Sequence, residues 1–156
     1  MIKMAKILYP TDFSELSTYA LRYALSFAHA YQAKLHCLHV VDEAYQYWTA
    51  MGPNSVPVGP ATEDILQSAR KEMDSFAAEH LQNAEVEVIT DVVLGRPFME
   101  IIQYARKQCI DLIVLATHGR TGLSHVLLGS VAERVVRKSP CPVLTIRHPQ
   151  HEFIMP

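Results

Sequence analysis

The sequence predicts an α/β domain: a mostly parallel five-stranded sheet with helices on both faces. Three observations carry this. Five short apolar runs recur along the 156 residues. Segments of helical period separate them, and two of the runs are apolar on both sides, as central strands of a parallel sheet require. Strands alternating with helices imply right-handed crossovers, hence parallel neighbours. The length suits one domain, enough to bury roughly two-thirds of the unfolded surface without a disulfide or metal staple.

The elements follow in order. "AKILYP" (5–10) is the first strand, and residues 14–30 form a helix with Leu16, Tyr19, Ala20, Tyr23, Ala24 and Phe27 on one face. "KLHCLHVV" (34–41) is the second strand. The segment 42–61 breaks the rhythm, with Tyr45, Tyr47, Trp48 and Met51 ahead of "GPNSVPVGP". A lid or partner surface and a merely mobile excursion both fit it. A helix at 62–81 places Ile65, Ala69, Met73, Phe76 and His80 on one side. In "AEVEVITDVVLG" (84–95), Glu85 and Glu87 alternate with Val86 and Val88, which reads as an edge strand with one wet face. Pro97 suits the first turn of a helix at 97–108, with Phe98, Ile101, Ile102 and Ala105 inward. "IDLIVLA" (110–116) is the second all-apolar strand. A helix at 130–138 and the strand "CPVLTIR" (141–147) complete the sheet, giving a domain at 1–147 and a flexible tail at 148–156. The Pro140-Cys141-Pro142 start marks the last strand as an edge. An apolar edge needs cover, so a homodimer through 141–147 is expected.

Bulk chemistry narrows the function classes. A formal charge of −2 argues against a nucleic-acid or anionic-membrane coat. The three cysteines, Cys37, Cys109 and Cys141, form no CxxC pair and read as reduced structural thiols. No h-region and no membrane-length apolar stretch occurs, so a cytoplasmic protein is expected.

In open parallel sheets, ligands bind beyond the carboxyl ends of strands whose connections diverge to opposite faces. Two loops qualify. Pro10-Thr11-Asp12-Phe13-Ser14 follows the first strand, and Ala116-Thr117-His118-Gly119 leads from the fourth toward Gly129-Ser130. The second loop has the parts of an anion site: glycines that admit close backbone approach, a hydroxyl, and a helix mouth with free N–H groups. Arg120 and His125 would add charge. An ordinary N-cap at Gly129-Ser130 and an ordinary turn at 119–122 explain the same residues. Asp12 is open in the same way, as a ribose or base acceptor or as a cap with Glu15 in a capping box. Neither GxGxxG nor GxxxxGK[ST] occurs, so the usual dinucleotide and P-loop readings fail.

From about residue 4 to 147 the chain resembles the universal stress protein family. The carriers are "ILYPTDFSELSTYAL", "HVVD", the "GRP" at 95–97 and "DLIVLATHGRTGLSHVLLGSVAERVVRKSPCPVLTI". The family signature G-x2-G-x9-G-[ST] reads here Ala116-Thr-His-Gly119, nine residues, then Gly129-Ser130, with Ala116 in place of the first glycine. Because Ala116 ends a strand, its methyl is expected to cost little. The resemblance implies a Rossmann-like sheet of order 3-2-1-4-5, dimerisation through the fifth strand, and an adenine nucleotide as ligand. ATP, ADP and AMP share the adenosine contacts, and whether Mg²⁺ accompanies them stays open. It implies phosphates held by the Gly119 backbone and the Gly129-Ser130-Val131 turn, with Ala116, Thr117, His118 and Arg120 among the nucleotide-binding residues. Pro10, Thr11 and Asp12 would line the adenosine side, and Val41 would touch the adenine.

Two functions then compete: a regulatory protein whose nucleotide occupancy changes a surface offered to partners under stress, and a slow ATP hydrolase. Hydrolysis needs a positioned water, a base and usually Mg²⁺. Only His118 is placed to serve, and no catalytic lysine stands out, so a non-enzyme is expected. A phosphoacceptor role for Asp12 lacks the acidic cluster and downstream lysine it would need. Gly129→Val with Ser130→Ala is expected to abolish nucleotide binding while leaving the melting temperature of the apo protein within a few degrees.

Overall fold

The computed structural model describes residues 1–42, 62–118 and 128–149. The loop expected at 43–61, Gly119, Arg120, His125 and tail residues 150–156 lie outside the described residues. The elements run β1 (Lys6–Thr11), α1 (Glu15–Tyr31), β2 (Lys34–Asp42), α2 (Thr62–His80), β3 (Val88–Gly95), α3 (Pro97–Gln108), β4 (Leu112–Ala116), α4 (Ser130–Lys138) and β5 (Val143–Ile146). The five strands form one parallel sheet in the order β3-β2-β1-β4-β5.

Alternation along each strand feeds two cores. Ile7, Tyr9, Leu35, Cys37, Leu112 and Val114 pack with Ala20, Leu21 and Ala24 of α1 and Met73 and Phe76 of α2. Leu8, Leu38, Val40, Ile113 and Leu115 pack with Ile101 and Ala105 of α3 and Ala132 and Val135 of α4. β1 and β4, predicted as central, contribute five residues that are wholly buried: Ile7, Leu8, Tyr9, Ile113 and Val114. Burial also disposes of two titratable groups. It pushes the Cys37 thiol up to about 12 and Tyr9 still higher, and the Tyr9 hydroxyl donates to the Ser17 carbonyl at 2.8 Å.

Several sequence expectations need correction. Of the face read from the sequence, Ala20 and Ala24 are buried, and Ser17, Leu21 and Ala28 complete the buried stripe of α1. Small side chains let the helix approach the sheet closely, while Tyr19 and Phe27 pack half-buried beside the seam and Tyr23 stays exposed, contrary to the expectation for that ring. β3 begins at Val88 rather than 84, the first link to β2 being Leu35 N–H to the Glu87 carbonyl at 2.9 Å. The exposed Glu85 and Glu87 alternate as expected, but ahead of the strand. β4 starts at Leu112 rather than 110, because Ile110 N–H closes α3 by donating to the Ala105 carbonyl. Asp111 instead accepts from the backbone N–H groups of Ala5 and Lys6 at 2.7 and 2.9 Å. β5 is confined to Val143–Ile146, with Pro142 just ahead of it.

Candidate functional site

β1 and β4 are neighbours, yet β1 connects to β2 on one side of the sheet and β4 to β5 on the other. Connections therefore diverge at this pair, the place where open sheets form ligand crevices. The pairing itself opens there. β1 pairs with β4 only at Ile7–Leu112 and Leu8–Ile113, while it stays paired with β2 as far as Thr11–His39. Pro10 lies in the unzipped part and brings no N–H to a ladder. A proline in a central strand is otherwise disfavoured; here the ladder on the β4 side has ended two residues earlier.

On the β1 side, the turn is heavily braced. Thr11 is buried; its hydroxyl bonds that of Ser17 at 3.0 Å and accepts the Phe13 N–H at 3.0 Å. Phe13 has φ 61°, the left-handed region that an aromatic residue occupies only under strain. Ser14, and not Asp12, caps α1: its hydroxyl accepts from Ser17 N–H at 3.2 Å. The capping box between Asp12 and Glu15 is thus corrected. Asp12 Oδ1 instead accepts from Ser14 N–H at 3.1 Å and from the Ser14 hydroxyl at 2.5 Å, an Asx turn that supports the cap. Val41, near the end of β2, is buried among the residues beneath α1 and α2.

On the β4 side, Ala116 ends the strand opposite Ile146 with extended backbone, so its methyl carries no positive-φ strain. Thr117 is buried, donates its N–H to the Ile146 carbonyl at 2.9 Å, and bonds His118 Nδ1 through its hydroxyl at 3.1 Å. Gly129 N–H donates to the Thr117 carbonyl at 2.7 Å, which seats the start of α4 directly on the end of β4. The N-cap is Gly129 and Ser130 is the first helical residue, where the helix read from the sequence at 130–138 begins. A glycine cap offers no side-chain acceptor to the first-turn N–H groups. The first bond back into the cap is from Glu133 N–H to the Gly129 carbonyl at 2.9 Å. The donors of Ser130, Val131 and Ala132 therefore precede the helical ladder, at its positive end, as an anion would require.

Ten of the twelve expected site residues are thus described, on the carboxyl ends of β2, β1 and β4 and on the mouth of α4. Gly119 and Arg120 are the two outside the described residues. Among the described residues no cluster of three or more His, Cys, Asp or Glu side chains could hold a metal ion, and no helix is long and apolar enough to cross a membrane. Ser17 and His39 escaped the sequence reading, as did the bracing roles of Phe13 and Ser14 within the candidate loop, although "DFSELS" does place two hydroxyls three residues apart at the helix start.

Residues 4–147 match the Universal stress protein family. Universal stress protein MJ0531 of Methanocaldococcus jannaschii is 35% identical over 147 residues, 94% of this chain and 84% of its own length. Among solved structures, that of the protein MJ0577 superposes with a TM-score of 0.80 at 32% identity, covering 96% of this chain and 99% of the other. A universal stress protein in complex with cAMP shares the fold at TM-score 0.69 and 21% identity, covering 93% of this chain and 98% of that one. Motif, topology and these likenesses agree: the chain belongs to the universal stress protein family.

Proposed function

We propose that this protein binds an adenine nucleotide, ATP in the first instance, and acts as a regulator in the stress response by presenting a nucleotide-dependent surface to a protein partner. One observation carries the reading: the glycine-capped mouth of α4 rests against the end of β4, beside the unzipped end of β1. Anion donors and the opening between β1 and β4 then lie on adjacent elements. The signature spacing from Ala116 to Ser130 supports it, as does the adenine nucleotide in the cAMP complex of a protein with this fold. The phosphates fall to Thr117, His118, Gly119, Arg120 and the Gly129-Ser130-Val131 turn, and the adenosine to Pro10, Thr11, Asp12 and Val41. Asp12 would meet the ribose or the base with its carboxylate. Mg²⁺ would arrive with a triphosphate rather than reside in the protein.

Protein purified and then denatured is expected to release an adenine nucleotide identifiable by chromatography, or, if isolated empty, to bind ATP at roughly micromolar strength. Absence of both sinks the proposal. Phosphate release from ATP is expected to stay below about one turnover per second, the low end of ordinary enzymes; a faster rate makes the protein an ATPase.

We further propose a cytoplasmic homodimer joined through β5. Val143 and Leu144 are only half-buried on this edge strand, and an uncovered apolar edge invites pairing. Sedimentation at micromolar concentration is expected to give a dimer, and a clean monomer refutes it.

A further inference from the structure

We infer that His39 is a positioning residue for the adenosine half of the site, holding the β1–α1 turn in the shape that carries Asp12. The inference rests on the nucleotide-binding reading above. At Thr11 the ladder between β1 and β2 ends. His39, directly opposite in register on β2, bonds the Thr11 carbonyl through Nδ1 at 2.8 Å, so Nδ1 carries the proton. The ring is 8% exposed and stacks on Phe13 with centroids 4.3 Å apart and planes 29° apart. Phe13 is the left-handed residue immediately after Asp12, and it also leans on Phe76 of α2 at 5.4 Å. A single imidazole therefore holds both neighbours of Asp12, one by a hydrogen bond to its carbonyl and the other by a ring face. Strained backbone persists only where its surroundings over-determine it, and such places cluster at ligand clamps. The α4 mouth is fixed separately, through Gly129 and Thr117.

This division of labour gives the test. AMP engages the adenosine side, whereas inorganic tripolyphosphate reaches only the phosphate side. His39→Phe keeps a ring over Phe13 and loses the donor; His39→Asn keeps an amide donor close to the place of Nδ1. Calorimetric titration is expected to show His39→Phe binding AMP about tenfold more weakly and tripolyphosphate within about twofold of wild type. His39→Asn is expected to recover AMP affinity to within about threefold. Equal loss of both ligands, or unchanged AMP affinity in His39→Phe, overturns the role, since a merely structural residue would move the melting temperature without dividing the two ligands. If His39→Phe does not fold, Phe13→Leu, which like His39→Asn removes the stack and keeps the donor, must weaken AMP by about threefold and leave tripolyphosphate unchanged, and unchanged AMP affinity there overturns the inference. A wild-type protein that binds neither ligand removes the nucleotide reading itself, a result distinct from wild-type binding that His39→Phe leaves intact.

Discussion

Replacing Gly129 by valine is expected to abolish nucleotide binding and to lower the melting temperature by several degrees, the two effects arriving together. The reason is space rather than conformation. Gly129 has φ −63° and ψ 155°, values any residue adopts. A Cβ there would sit 3.0 Å from the Thr117 carbonyl oxygen and 3.5 Å from His118 Cα, both backbone atoms that cannot swing aside. Valine adds two methyl groups to that contact, so the start of α4 must lift from β4 and break the 2.7 Å bond between Gly129 N–H and the Thr117 carbonyl. Overpacking of this kind costs about 1–3 kcal/mol. At roughly 2–4 °C per kcal/mol for a domain of this size, the loss is visible in a melt. The 3.0 Å approach argues for a larger loss than the few degrees that the sequence reading allows for Gly129→Val with Ser130→Ala. Ser130→Ala alone is the cleaner probe. The residue is exposed, so the melt should not move, while loss of one charge-assisted bond to phosphate weakens ATP by roughly ten- to a hundredfold. Thermal melts and ATP titrations of both variants decide the matter. A Gly129→Val protein that melts like wild type would show that α4 is not seated through this contact.

What the sequence made legible was the alternation of elements, because hydrophobic period is a local property. Apolar runs on both sides put β1 and β4 at the centre, and Pro140-Cys141-Pro142 put β5 at an edge. The family signature, read by spacing, pointed to the ends of β1 and β4, where the structure does bring Thr11 and Ala116 to neighbouring strands. Contacts that depend on three dimensions stayed hidden. The pattern put Ala20 and Ala24 on the inward face of α1, but nothing in it says that Ser17, Leu21 and Ala28 rather than Tyr23 complete the seam, because volume argues one way and close approach the other. His39 is one more residue in a strand until the register sets it opposite Thr11. Gly129 looked like a concession to a ligand, yet a side chain there would first meet the chain's own backbone at Thr117. The cap moved from Asp12 to Ser14 because two candidate oxygens stood two residues apart, and only the geometry of the turn decides between them.

The same blindness to register concealed a buried histidine that links stability to acidity. Tyr104→Phe is expected to destabilise the protein by about 1–3 kcal/mol, the cost of stranding a buried polar group. His36 on β2 is 3% exposed; its Nδ1 meets the Tyr104 hydroxyl at 3.0 Å, and its Nε2 has no hydrogen-bond partner among the described residues. The phenylalanine variant would take away the one partner the ring has there. Burial lowers the His36 pKa from its ordinary value of 6.5, Lys6 and Lys34 add to the effect, and Glu87 opposes it. Burial pushes Tyr104 up to about 12, so its hydroxyl remains protonated. The sign follows. The unfolded chain takes up a proton near pH 6.5 while the folded protein resists it, so stability is full above that value. It falls with pH between there and the lowered folded value. Urea unfolding at about pH 8 and pH 5 should show this slope in wild type and in Tyr104→Phe. The double variant His36→Leu with Tyr104→Phe replaces the pair by apolar groups of similar size. It should be close to wild type in stability at the higher pH, and the part of the slope owed to His36 should vanish. If Tyr104→Phe unfolds like wild type, or the double variant keeps the whole acid slope, the buried pair is not where the protein feels protons.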